Sequence, residues 1–309
     1  MICSRLNVFF CLVAIFSFGV CGTSNAGQNQ NAVQPPPELI LASLMVPESF
    51  GLADHLSPDS LTAKLLTKVA ARQNLMLNGD FETCNLSQFN GKEALDHELR
   101  TVTSLSRSGK CSVRIEINAS ERDKGGNSWR AELTQQRAGS ANHERDRWFG
   151  FSTYFPTAYK PLKQDVIFQI HEKPSKCEQY RTPPLYLLVA GEKMHWITRW
   201  DSKKCSVGDT AQGSKWITSS VVERNRWIDW VVHVRWSYGA DGLIEIWRNA
   251  TKIAVYRGPN DYNDEFEHYL KIGGYMWHGF PQNVAQRVSY LDDVRMGGPK
   301  ATYADVAPR

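Results

Sequence analysis

Several signals are missing from this chain of 309 residues. It has no Cys-x-x-Cys pair, so the spacing that builds a zinc site is absent. Its net charge is only +4. That is too small to argue for a nucleic-acid binder, and it is compatible with an anionic ligand without demanding one. The apolar stretch Leu6 to Val20 is too short and interrupted for a membrane span. Beyond about Leu75 no long amphipathic helix separates the strand-like segments, which argues against a parallel α/β sheet. There is no internal repeat. No Glu-x-Asp-x-Glu run places two carboxylates on one strand, as a glycoside hydrolase of a β-sandwich type would need; Glu121-Arg122-Asp123 and Glu144-Arg145-Asp146 are only partial matches.

What remains is a chain with 42% apolar and 11% aromatic residues, enough for a substantial core. Residues 1–26 read as a secretory signal: Arg5, then the apolar stretch, then Ser24-Asn25-Ala26 as a cleavage site. Residues 27–74 read as a polar, proline-rich linker with a short helical extension, capped by Ser60 and running through Leu61 to Ala71. Residues 75–300 form the main domain, and 301–309 a C-terminal tail. In the main domain, short aromatic and β-branched segments such as Trp148–Phe155, Met194–Trp200 and Trp227–Trp236 alternate with turn signals. The expected fold is all-β, a sandwich or jelly roll of two antiparallel sheets.

Cys84, Cys111, Cys177 and Cys205 survive removal of the signal, an even number in an exported chain. Three pairings are open. Cys84–Cys111 and Cys177–Cys205 are favoured, because each pair flanks a local strand-rich segment. The expected location is secreted or periplasmic.

Three segments carry the chemistry: Arg130-Ala131-Glu132-Leu133, Gln169-Ile170-His171, and Tyr269-Leu270-Lys271-Ile272-Gly273-Gly274-Tyr275. In an extended chain, residues two apart share a face. Arg130 and Glu132 therefore lie opposite the apolar set Trp129, Ala131 and Leu133. Ile167, Gln169 and His171 lie opposite Val166, Phe168 and Ile170, the set assigned to the core. Lys271 and Tyr275 share a face with Gly273 between them. If the strands belong to one curved sheet, the polar faces line its concave side. Singly, each segment reads as a solvated strand face. Together they offer a guanidinium, an amide, an imidazole, an ammonium and a phenol, a set that suits removing a carbon-bound proton beside a carboxylate and expelling an ether oxygen. Arg130 and Gln169 would neutralise the carboxylate. His171 and Tyr275 would move the protons; which is base and which is acid stays open. A cation near Tyr275 would lower its pKa.

At these residues the chain resembles the alginate lyase and heparin lyase I group of polysaccharide lyases. The resemblance covers roughly residues 75–298 and extends to Leu77-Asn78-Gly79-Asp80-Phe81-Glu82 and Trp230–Trp236. It implies a concanavalin-like β-jelly roll, an acidic polysaccharide as partner, and substrate contact by Lys271. Leu270, Thr134 and Trp277 depart from the usual alginate lyase residues, leaving a glucuronan-like or other uronate polymer as candidate alongside alginate. Glu132, Arg235 and Trp277 are further candidates for substrate contact; Arg235 shares a strand face with His233 and could add to a basic groove. Trp200 and Trp277 sit near strand ends and are candidate stacking residues. No cofactor is expected to be required. A structural calcium at Asp80 and Glu82 with Asp292 and Asp293 is the one metal option, against turn capping by the same residues. The chain is expected to act as a monomer. The rival reading is a non-catalytic carbohydrate-binding module of the same fold.

Overall fold

The computed structural model describes residues 74–309, apart from positions 124, 127, 136–143, 162, 175, 207 and 266. The expected signal, linker and helical extension lie outside the described residues. Fifteen strands follow in order: β1 (Leu75–Gly79), β2 (Gly91–Glu93), β3 (Leu99–Val102), β4 (Ser112–Asn118), β5 (Trp129–Gln135), β6 (Asp146–Tyr154), β7 (Asp165–His171) and β8 (Leu185–Ala190). Then come β9 (Lys193–Trp200), β10 (Gly213–Val221), β11 (Trp227–Arg235), β12 (Leu243–Arg248), β13 (Thr251–Arg257), β14 (Tyr269–Met276) and β15 (Gln286–Gly297). Short segments rich in Val, Ile and Trp, broken by turns, make this outcome the natural one.

The strands form two antiparallel sheets, the expected jelly-roll sandwich. One has eight strands, ordered β13-β12-β11-β6-β15-β4-β3, with β1 added on β15. The other has seven, ordered β10-β9-β8-β7-β14-β5-β2. The core fills the space between them: Phe149, Phe151, Val232 and Ile246 of the first sheet pack with Leu133, Phe168, Leu187, Trp196 and Ile272 of the second. Burying rows like these, at about 25 cal/mol per Å² of apolar surface, holds the two sheets together.

Residues 301–309 are more than a tail. A helical turn, α1 (Tyr303–Val306), packs against β6 and β15. Val306 is buried, and Arg295 Nη1 donates to the Ala307 carbonyl at 2.8 Å. The disulfides are Cys84–Cys111 and Cys177–Cys205, the favoured pairing.

One alternation breaks. On β7, Ile167, Phe168 and Ile170 all enter the core, while Val166 joins Leu188 and Ile197 in a small cluster on the sheet's outer face. The expected pattern had Val166 inside and Ile167 outside. A bulge between Val166 and Phe168 in the β7–β8 pairing inserts one residue and reverses these two assignments. Gln169 and His171 are past the bulge, so they keep the outer face.

Candidate active site

Strand β14 is the middle of the site, with β5 on one side and β7 on the other. Its register sets Tyr275 opposite Arg130, Gly273 opposite Glu132, and Lys271 opposite both Thr134 and Gln169. Three distant segments thus meet on the outer face of one sheet. Gly273 has φ +150°, and a Cβ there would collide with the Ala131 carbonyl oxygen. Only glycine lets β5 and β14 approach this closely.

The Arg130 guanidinium lies over the Tyr275 ring, 3.8 Å from its centroid. Its Nη1 donates to Glu93 at 2.9 Å and to Glu132 at 3.0 Å. Glu132 is fully buried, and its other oxygen accepts from Gln169 Nε2 at 2.5 Å. Lys271 Nζ is 2.8 Å from Glu93 and 3.6 Å from Glu132. Glu132 is therefore a hub that fixes three polar side chains. A buried carboxylate is tolerated because its oxygens meet donors and a cation.

Tyr275 behaves differently from the sequence expectation. Burial pushes its pKa up, and the lowering effect of Arg130 does not overcome this. The phenol is held neutral and suited to donating a proton.

The His171 ring stacks on Tyr269 at 5.3 Å and meets the edge of Tyr180 at 5.7 Å. Its Nδ1 is hydrogen-bonded to the Glu172 backbone carbonyl at 3.0 Å, with Glu172 Oε2 close by at 2.9 Å. Among the described residues nothing engages Nε2. Glu172 is buried, and its Oε1 accepts from the backbone N–H of Arg181 at 2.6 Å. The ring is thus fixed at Nδ1 by a main-chain carbonyl, with a buried carboxylate beside it, an arrangement that leaves Nε2 for a general base. Glu172 went unread in the sequence. It follows His171 directly, so strand alternation would send it to the other face; it folds back because the strand ends there.

A cleft of about 400 Å³ opens between these groups. Arg130, Gln169, His171, Tyr275 and Trp277 line it, with Val166, Tyr180, Arg181 and Tyr186 in its walls. The wall segment around Arg181 is anchored by its guanidinium, bonded to Asp264 at 2.7 Å and stacked on Tyr262, and by the neighbouring Cys177–Cys205 disulfide.

The sequence supplies the decisive match. A family model described as polysaccharide lyase matches residues 81–295. The chain belongs to the polysaccharide lyase family. No curated protein matches this lyase by sequence. Among solved structures it is similar to the endo-β-1,4-glucuronan lyase from the fungus Trichoderma reesei, with 16% identity over 76% of this chain and 98% of that one and a TM-score of 0.60. It is also similar to the marine alginate lyase from Aplysia kurodai, with 13% identity, 72% and 98% coverage, and a TM-score of 0.49.

Some expected contacts need correction. Arg235 lies on β11 in the eight-stranded sheet, where its Nε donates to the Asp241 carbonyl, so it is not part of the cleft. His233 is beside it on the same sheet, its nitrogens held by Glu245 and Asp146. Strand parity told inside from outside but not one sheet from the other. Glu132 and Lys271 are buried behind the cleft lining, bonded to Arg130, Gln169 and Glu93. Trp200 rests against Gly213 and Tyr256, outside the cleft; Trp277 lines it.

The residues considered for calcium are engaged by hydrogen-bond donors of the chain itself. Asp80 accepts from Asn78 and from the Glu82 backbone, and Glu82 accepts from Lys110. Asp292 accepts from the backbone N–H groups of Arg107, Ser108 and Asp293, and burial pushes its pKa up to about 7. Their oxygens serve as turn caps. Among the described residues no three His, Cys, Asp or Glu side chains gather as a metal would need.

Two disulfides stand in the described domain. No described helix is long and apolar enough to cross a membrane.

Proposed function

We propose that this lyase cleaves a uronic-acid polysaccharide by β-elimination, outside the cell or in the periplasm. The observation that carries the reading is the shared cleft of Arg130, Gln169, His171 and Tyr275, one cation, one amide and two proton carriers around a sugar-sized hollow. The two disulfides and the signal-like residues 1–26 support export.

In the proposed reaction, Arg130 and the second amide N–H of Gln169 bind the uronate carboxylate and stabilise the charge that develops on it. Glu93, at the half-exposed end of its contact with Arg130, is the carboxylate the substrate would displace. His171 Nε2 takes the C5 proton. The electron pair left behind forms the C4–C5 double bond as the C4–O4 bond breaks. Tyr275, kept neutral by its surroundings, gives its proton to the departing O4. Glu172 holds the His171 ring.

A β-1,4-glucuronan is the first substrate to try, with alginate, heparin and hyaluronan beside it. Elimination leaves a 4,5-unsaturated uronate, read as rising ultraviolet absorbance. The expected result is turnover on at least one polyuronate and its loss in Tyr275→Phe with the fold retained. Binding without turnover on any of the four would overturn the reading in favour of a carbohydrate-binding module.

A further inference from the structure

The outer face that carries the cleft continues across β8 and β9 to the edge strand β10. Val166, Leu188 and Ile197 form a buried apolar layer beneath it, packed against the partly buried Tyr186, Ala190 and Tyr275. Val166, Tyr186 and Tyr275 also line the cleft, so this layer and the cleft belong to one sheet face. On β9, Met194 and Trp196 enter the core, which turns His195 and Ile197 outward.

Trp216 of β10 stands directly opposite Ile197, and cross-strand partners share a face. Its ring meets the edge of His195 at 4.6 Å, and His195 Nδ1 lies 2.6 Å from Ser219 Oγ. A nearly buried imidazole therefore steadies the indole from one side, while Trp216 itself is 54% exposed. The residues before and after it are Gly213-Ser214-Lys215 and Ile217-Thr218-Ser219. Of these only Ile217 packs on the core, so the core does not require a tryptophan at position 216.

We propose that Trp216 is a distal sugar subsite, where the indole stacks on a pyranose ring of the same polysaccharide chain that is cleaved between His171 and Tyr275. This rests on the polyuronate lyase reading. The C–H face of a pyranose and a flat, fixed aromatic ring are complementary apolar surfaces, and a fixed ring loses little freedom on binding. Tyr275 is on β14 and Trp216 on β10, four inter-strand steps or about 19 Å apart. A chain joining them crosses the strands and spans several sugar rings. Their place on one face of one sheet is the reason to assign the same polymer rather than a separate ligand. The subsite makes long chains better substrates than short ones and favours attack inside the chain.

The test is Trp216→Ala in the full protein, with Trp216→Phe as a conservative partner. Two measurements are made: retardation in native gels containing glucuronan, alginate, heparin or hyaluronan, and kcat/KM on the polymer against kcat/KM on its trisaccharide. The expected result is weaker retardation and a fall of about five- to tenfold in the polymer-to-trisaccharide ratio, carried by KM and partly restored by Phe. An unchanged ratio and unchanged retardation would overturn the subsite. So would a wild-type protein that no polyuronate gel retards. A wild type that is retarded yet inactive, with retardation lost in Trp216→Ala, would sink the catalytic reading and leave the subsite standing. If the substitution instead splits a dimer in sedimentation with KM unmoved, the indole covers a second copy and the proposal is wrong.

Discussion

Two histidines on the two sheets show how similar parts yield different chemistry. His171 and His233 both sit on strands, both beside aromatic rings and both near carboxylates. His233 stacks on Trp148 at 4.1 Å, and its nitrogens lie 3.0 Å from Glu245 and 3.2 Å from Asp146. Clamped on both sides, it has no nitrogen to offer a ligand. His171 has a carboxylate behind Nδ1 only, and its ring lines a cleft shared with Arg130 and Tyr275. The lesson is that a histidine's usefulness depends on what its second nitrogen faces.

Substitution of each histidine tests that contrast most severely. His171→Ala should lower kcat/KM by about 10²- to 10⁴-fold, the range for losing a general base. His233→Ala should leave kcat/KM within about twofold and lower Tm by a few degrees, from the loss of roughly 1 kcal/mol of stacking and ion pairing. Equal losses of activity in both variants would erase the distinction.

A smaller effect separates the carboxylate behind His171 from those around His233. Glu172→Gln keeps an acceptor for the Arg181 N–H but removes the charge beside the imidazole. The expected fall in kcat is roughly ten- to hundredfold with KM held. A matching rise in KM would mean that Glu172 only shapes the cleft wall.

The finest test is the alkaline limb of the rate profile. Burial raises the Tyr275 pKa above its ordinary value of about 10. A raised pKa keeps the phenol protonated to higher pH, so the alkaline limb set by this donor lies above where an ordinary tyrosine would place it. A limb in kcat/KM that begins well below 10 and vanishes in Tyr275→Phe residual activity would show that Arg130 wins over burial.

Much of this site was legible from spacing. Arg130 and Glu132, and Lys271 and Tyr275, keep the faces that alternation assigns them; β5 pairs regularly with β14, and the irregularity at Gly273 still leaves Lys271 and Tyr275 on one side. Val166 and Ile167 were misassigned because a bulge carries no signature in a run of apolar residues. Arg235 was misplaced because alternation is blind to which sheet a strand joins. Glu172 lies one residue past the last regular position, where the rule stops applying. Trp216 was legible in principle: a lone indole among serine, lysine and threonine is a poor core residue, and that contrast was the available signal.

Gly273 also bears on how this scaffold can be altered. A single methyl group there would act as a wedge driven between neighbouring strands, with the guanidinium on one bank and the phenol on the other. Engineers who remodel the cleft have room around its rim, at Tyr180 or Trp277, but not along this seam. The smallest residue in the site is the one whose enlargement would pull its halves apart.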